Sequence, residues 1–353
     1  MKPSLPILRG RGANGDPPSR FLRLSVEPDP EFATEAGSRP TEYYLDASRS
    51  VLTRNHSPDV PFDWSLNPYR GCEHGCSYCY ARPTHEFLGF SAGLDFESRI
   101  LVKRAAPELL QVRLAHKNWA PVPIAMSGVT DPYQPIEQRL GITRRCLEVL
   151  ERTRHPVTIV TKGRAIERDI DILSSLARHD AVRVSISVTT LDRSLQRAME
   201  PRAPTPESRL RVIRSLRHAG VPVGINIAPV IPGLTEHEIP AILETCAEAG
   251  AQSAAMFLLR LPGAVESIFV QWLRDFLPDR SEKILNRLRE LHGGKLSDPR
   301  FGHRMRGSGT YSHQIRELFR VARRRAGLHA SRLGPSSSSF LRPTLPARRE
   351  APA

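Results

Sequence analysis

Stretches with the length and residue types of buried strands recur along the 353-residue chain, and helical periodicity fills the gaps between them. The strand-like runs are Val122–Ser127, Val157–Thr161, Val182–Val188, Val223–Ala228 and Ser253–Leu259, with an earlier one at Trp64–Asn67. Helical patterns cover Ala106–Lys117, Ile142–Arg152, Ile166–Arg178, Pro206–Ala219, Glu236–Ala249 and Val265–Asp275. Strands that alternate with helices of ten or more residues form βαβ units on a parallel sheet, which rules out all-α and antiparallel architectures. Turn chemistry supports the joints. Ala219-Gly220 reads as a helix C-terminus, and Thr235-Glu236-His237-Glu238 has the spacing of a capping box. Whether such a sheet curls into a barrel or stays open and doubly wound, its functional groups gather at the C-terminal ends of the strands.

The loop expected at the end of the first strand is the richest in chemistry. Tyr69-Arg70-Gly71-Cys72-Glu73-His74-Gly75-Cys76-Ser77-Tyr78-Cys79-Tyr80 carries three cysteines in a C-x3-C-x2-C pattern, and no fourth lies nearby. Thiolates select zinc, copper(I) or iron–sulfur clusters. Structural zinc sites pair two C-x2-C arms across a longer spacer, which is missing here. His74 is a fourth donor in principle, but it sits inside the triplet with little freedom to close a tetrahedron. Iron–sulfur clusters usually take four cysteines. Three leave one metal position open, which is where substrate binds at catalytic metals. Gly71 and Gly75 suit a backbone that winds closely around a bulky core. Cys146 and Cys246 fall in helical segments and read as small buried apolar residues.

The run C-x3-C-x-aromatic-C, with Tyr78 as the aromatic, resembles the radical SAM superfamily. The longer string through Tyr80 is similar to the spore photolyase-related branch, and Gly10-Arg11-Gly12-Ala13 followed by Arg20-Phe21 resembles the N-terminus of one bacterial subgroup of it. The resemblance implies a partial (β/α)6 TIM-like barrel with N- and C-terminal extensions. It also implies a 4Fe-4S cluster on Cys72, Cys76 and Cys79 whose open iron is chelated by S-adenosylmethionine. Reductive cleavage of the sulfonium then yields a 5′-deoxyadenosyl radical that abstracts hydrogen from a substrate. The reducing end of the iron–sulfur potential range is needed, so a flavodoxin or ferredoxin is the expected electron donor.

Positions at the strand ends fill out the expected cofactor site. Tyr78 and Tyr80 would pack near the adenine. Thr130 takes the place of the superfamily's Gly-Gly-Glu contact to the amino group. Lys162 would pair with the carboxylate by a charge-assisted bond. Ser185 would hold the ribose, and the backbone of Ala228 would read the adenine edge. Asp131, Tyr133 and Glu137 are open to either a substrate-facing or a structural role. Spore photoproduct lyases carry a hydrogen-donating cysteine where this chain has Gly128, so the resemblance does not extend to that donor. No motif in the loops spells out a substrate.

The organisation expected is an N-terminal arm over 1–60, the barrel over 61–262, a helical extension over 263–330 and a disordered Ser/Pro/Arg-rich tail over 331–353. The formal charge of +14 is uneven. Residues 300–325 carry eight arginines against Glu317, whereas residues 1–60 balance eight basic against eight acidic groups. This basic field keeps open a second reading, a nucleic-acid-binding iron–sulfur or zinc protein without radical catalysis. No apolar run approaches the roughly 20 residues of a membrane span, and the N-terminus lacks the pattern of a secretory signal. A cytoplasmic setting is therefore expected, and the reducing compartment suits free thiols.

Overall fold

The computed structural model describes residues 8, 10–21, 39–330 and 334–344. Two short strands, β1 (Glu42–Leu45) and β2 (Leu52–Arg54), precede β3 (Trp64–Leu66) and β4 (Tyr69–Arg70). The cysteine run follows, and then α1 (Leu94–Ser98), β5 (Arg99–Val102) and α2 (Ala106–Ala115). Next come β6 (Ile124–Met126), α3 (Glu137–Leu140), α4 (Ile142–Thr153), β7 (Val157–Thr161), α5 (Ile170–Arg178) and β8 (Val182–Ser187). The chain continues through α6 (Arg193–Met199), α7 (Pro206–His218), β9 (Val223–Val230), α8 (Ile239–Glu248) and β10 (Ser253–Leu258). Helices α9 (Val265–Phe276), α10 (Pro278–Leu291) and α11 (Gly309–Arg325) lead to a final short strand, β11 (His329–Ala330).

The main sheet has the order β11-β10-β9-β8-β7-β6-β3-β2. Its six central strands, β3 and β6 to β10, run parallel, and they are the six read from the sequence. Among the described residues its two edge strands do not pair with each other, so the sheet is a partial barrel and not a closed one. Alternation along each strand sets the two faces. Val157, Ile159, Val182, Val184 and Ile186 are buried with Cys146, Leu147, Leu173 and Leu216 from the surrounding helices. Each such side chain contributes about 1.5–3 kcal/mol. Thr158, Val160, Arg183 and Ser185 are half-buried on the opposite, concave face. Cys146 and Cys246 are fully buried core residues, as expected of them.

Several details depart from the sequence reading. The capping box does not form. The Thr235 hydroxyl accepts from Ile231 N at 2.9 Å, while Glu238 accepts from the Thr190 hydroxyl and from Leu191 N, tying α8 to the end of β8. Pro240 fits the first turn of α8, where its missing N–H costs nothing. The segment before Ile170 is a 3-10 turn and not α-helix. A separate three-stranded sheet, β1-β5-β4, holds the chain on either side of the cysteine run. The disorder expected from residue 331 onward fails for 334–344. Ser336 N donates to Asp180 O and Leu341 N to Thr153 O, both at 2.8 Å. Arg342 donates to the carbonyls of Leu114, His116 and Trp119. Composition pointed to a solvated tail, but backbone pairing and Phe340 against His155 outweigh it.

Candidate active site at the strand C-termini

β4 delivers the cysteine loop to the C-terminal end of the sheet, where it is fixed by groups from several segments. Gly71 and Gly75 have φ of +81° and +66°, and β-carbons there would press on Phe96 O at 2.9 Å and Glu97 Oε2 at 2.7 Å. Both positions therefore require glycine. Cys72 N donates to Phe96 O at 2.9 Å and Ser77 N to Met199 O at 3.0 Å. Arg82, fully buried, donates to Cys76 O at 2.8 and 3.0 Å and to Gly93 O at 2.8 Å, and pairs with the equally buried Glu97. Gln134 accepts from Glu73 N at 3.0 Å and donates to Gly71 O at 3.2 Å. These bonds satisfy a buried loop that has no sheet ladder of its own.

The thiols of Cys72 and Cys76 are buried. Burial pushes the Cys72 thiol well up, and Asp131 and the other two thiols add to the effect. Burial also drives Cys76 up to about 12, opposed by Lys162 and reinforced by Glu200 and Cys79. The protein alone thus disfavours the thiolates, and a cationic metal core would reverse that balance. No group of three His, Cys, Asp or Glu side chains among the described residues is placed to hold a single metal ion. A zinc ion would draw its sulfurs to within about 2.3 Å of one point, whereas three thiolates on a cluster bind separate irons. The buried Ser77 hydroxyl has no partner among the described residues. Three thiols from one loop fit a cluster that leaves one iron open.

Lys162 stands just beyond β7, with its Nζ 5.7 Å from the centre of the Tyr78 ring. Its backbone N–H donates to Asp131 Oδ2 at 2.8 Å. Burial works against its charge, but Glu200, with a smaller contribution from Cys76, outweighs burial and raises its pKa. Among the described residues its ammonium has neither a hydrogen bond nor an ion pair. Tyr78 is buried, and its hydroxyl meets Glu200 and, at 3.2 Å, the Thr189 hydroxyl. Thr189 also donates to Glu200 at 2.7 Å and lies 3.1 Å from Ala228 O. Burial would raise the Glu200 pKa, but Arg209 and Lys162 hold it down to about 2. A chain of contacts therefore links Tyr78, Glu200, Thr189 and Ala228.

Other expected residues are placed differently. Tyr80 is 45% exposed, so its ring faces outward, with the Arg260 guanidinium 4.4 Å from its centre. Thr130 donates to Gly71 O at 2.7 Å and accepts from Gln134 at 3.0 Å, so its hydroxyl already supports the cysteine loop. Ser185 lies on the concave face of β8, two positions before the strand ends. Asp131, Tyr133 and Glu137 are structural. Asp131 accepts from the Thr161 hydroxyl, Lys162 N and Tyr133 N, with His74 Nδ1 at 3.4 Å. The Tyr133 hydroxyl donates to Asp169 at 3.1 Å, and Glu137 takes the Tyr69 hydroxyl, Thr143 N and Arg168. Glu97, Arg82, Gln134, Glu200 and Arg209 carry no motif, and only their burial in the fold reveals them.

The model of the Radical SAM superfamily matches residues 66–246, which is half of the sequence and spans the cysteine loop through α8. The chain belongs to the radical SAM superfamily. Its cofactors are accordingly a 4Fe-4S cluster and S-adenosylmethionine, and it is an enzyme that takes its electron from an external donor. An uncharacterised protein of Mycobacterium tuberculosis is 35% identical over 235 residues, covering 66% of this chain and 68% of its own. One from Methanocaldococcus jannaschii is 28% identical over 173 residues, or 49% and 62% of the two chains. Among solved structures, a spore photoproduct lyase with one cysteine changed to serine superposes with a TM-score of 0.62 at 15% identity over 88% of both chains. That likeness shows a shared partial-barrel fold.

Two further findings bear on partners. None of the described helices is long and apolar enough to cross a membrane. The C-terminal basic field divides between the ends of the barrel. Arg300 and Arg304 are paired with Asp298 and Asp59. Arg323, Arg324 and Arg325 end α11, next to β11, whose His329 pairs with Ser253 at the start of β10, the end away from the cysteines.

Proposed function

We propose that this radical SAM enzyme generates a 5′-deoxyadenosyl radical at Cys72, Cys76 and Cys79 and uses it to abstract hydrogen from a substrate. The bound cluster and S-adenosylmethionine supply reductive cleavage of the sulfonium. Cys72, Cys76 and Cys79 would hold the cluster through their thiolates, with S-adenosylmethionine bound beside it at the strand ends. Lys162 holds the carboxylate. Tyr78, fixed by Glu200 and Thr189, forms a wall for the adenine, and Tyr80 forms its outer rim. Ser185 binds the ribose, and Ala228 reads the adenine edge through its backbone. Thr130 acts mainly by pinning the Gly71 carbonyl, leaving one lone pair for the amino group. Gly128 supplies no thiol, so the hydrogen that closes the reaction comes from elsewhere. A flavodoxin or ferredoxin in the cytoplasm is the proposed electron donor.

The observation that carries this reading is the unpaired Lys162 ammonium beside Tyr78 and above a loop of three thiols. The ammonium makes no hydrogen bond among the described residues, so its donors are open to an anionic group, and a carboxylate would take a charge-assisted bond there. In Lys162→Ala, loss of a charged hydrogen bond weakens S-adenosylmethionine binding by about tenfold to a hundredfold. Equilibrium dialysis against the anaerobically reconstituted protein, at unchanged iron content, measures this. Equal affinity in the two proteins would remove Lys162 from the site. The arginine distribution favours this reading over a nucleic-acid-binding protein, because the α11 cluster lies far from the cysteines.

A further inference from the structure

Gly10-Arg11-Gly12-Ala13 takes no part in the cofactor contacts, yet it lies directly against the cysteine loop. A β-carbon on Gly12 would fall 1.7 Å from Gly75 O and 2.9 Å from Ser77 N. Gly75 and Ser77 flank Cys76. Gly12 N donates to Glu97 Oε2 at 3.1 Å, and the other oxygen of that carboxylate meets Arg82, which in turn holds Cys76 O. Arg11 is 3% exposed. It donates to the carbonyls of Glu97 at 2.9 Å and Arg39 at 2.5 Å, and to the Thr41 hydroxyl at 3.3 Å. Among the described residues no carboxylate pairs with it. Asn14 then bonds to Asp275 on α9, and Ala13 packs with Leu94 and Ile268.

We propose that Gly10–Ala13 is a latch that holds the cysteine loop in its cluster-binding shape and seals its rear from water and oxygen. The proposal rests on the reading that Cys72, Cys76 and Cys79 carry the cluster. The Gly75 peptide lies between two of those ligands, and it cannot rotate toward Gly12 without collision. A loop backbone turned to water would be free to exchange partners; here the segment occupies that side. Arg11 is a buried cation held by backbone carbonyls, which anchors the segment in one register. Glu97 is shared between the latch and Arg82, so the rear of the loop and Cys76 O are positioned by one carboxylate. Gly12 and Arg11 are positioning residues and touch no reacting atom.

Gly12 lies outside the left-handed region, so alanine is acceptable to its backbone and only the space is missing. Gly10 provides the contrast. Its φ is +71° and nothing lies within 4 Å of a β-carbon there, so alanine strains the segment without pushing on Gly75. The experiment compares Gly12→Ala, Gly10→Ala and the parent protein after anaerobic reconstitution. Iron release to bathophenanthroline and bleaching of the visible absorbance in air are followed beside the thermal midpoint of each apoprotein. Gly12→Ala is expected to release iron about tenfold faster or more, as overpacking at a ligand loop should, while Gly10→Ala stays within about twofold. If Gly12→Ala does not fold, Arg11→Gln removes the anchor without adding atoms and carries the same expectation. Equal rates in Gly12→Ala and the parent, or equal acceleration in Gly10→Ala, would overturn the latch. A parent protein that takes up no iron would overturn the cluster reading beneath it.

Discussion

At the C-terminal ends of the strands the loops are held by buried charge: Glu97 with Arg82, Glu200 with Arg209, and Asp131 with Lys162 N and His74. At the N-terminal ends the closure is aromatic. Trp64 packs on Trp119, Trp119 on His155 and His155 on Phe340, with residues 334–344 laid across them. The two ends answer different requirements. An irregular loop around a cofactor has no ladder to satisfy its peptides, so directional side-chain partners must fix each carbonyl. Buried pairs add little net stability for their desolvation, but they punish every displaced arrangement. The base has mainly to keep water out of the core, and apolar surface does most of this without directional bonds.

If this contrast is right, variants at the two ends should separate cluster chemistry from stability. The largest effect belongs to Glu97→Gln. It leaves Arg82 buried without its counter-charge, which costs about 3–5 kcal/mol, and it loosens Cys76 O and Gly12 together. Iron content and urea denaturation should both fall sharply; a variant that keeps its full iron complement would break the mouth side of the comparison. Phe340→Ala at the base removes a half-buried ring and should cost about 1–2 kcal/mol in urea denaturation. Its rate of 5′-deoxyadenosine formation should match the parent, and a proportional loss of that activity would show that the base is not independent of the mouth.

The smallest effect is a pH dependence at the base. Trp119 Nε1–H donates to His155 Nε2 at 3.1 Å, so Nδ1 carries the proton and donates to Pro156 O at 3.0 Å. Burial pushes the His155 pKa down from 6.5 to about 4, with the Pro156 carbonyl opposing it. The folded state therefore binds its proton later than the unfolded state as pH falls. The His155 contribution is fully present above about pH 6.5 and is lost as pH drops toward 4, by at most about 1.4 kcal/mol per unit. Stability measured at pH 7.5 and 5.5 should fall less in His155→Phe than in the parent. An equal fall in both would remove the neutral His155 from the account.

Much of the mouth was legible in sequence because its chemistry is local. Three cysteines in one loop announce a metal core, and alternation of Val157–Thr161 and Val182–Ser187 with helices fixes the strand ends that present Lys162 and Ser185. What the sequence hid was long-range. Glu97, Glu200 and Arg209 carry no local signal and gain a role only where folding brings them under the loop. Asp131 read equally well as a turn residue or a substrate contact, and four partners from three segments decide for the turn. The tail at 334–344 was misread because composition reports an average tendency to solvate, whereas Phe340 and Arg342 find specific partners more than 180 residues away in the chain. Gly12 gave no local signal that it would sit on Gly75.

The central claim is that Cys72, Cys76 and Cys79 make this chain a radical SAM catalyst. Formation of 5′-deoxyadenosine by the anaerobically reconstituted, dithionite-reduced protein tests it most directly. The account predicts about four irons per chain and steady 5′-deoxyadenosine production that Cys76→Ala abolishes. An unchanged rate in Cys76→Ala, or one zinc and no 5′-deoxyadenosine in the parent, would contradict it.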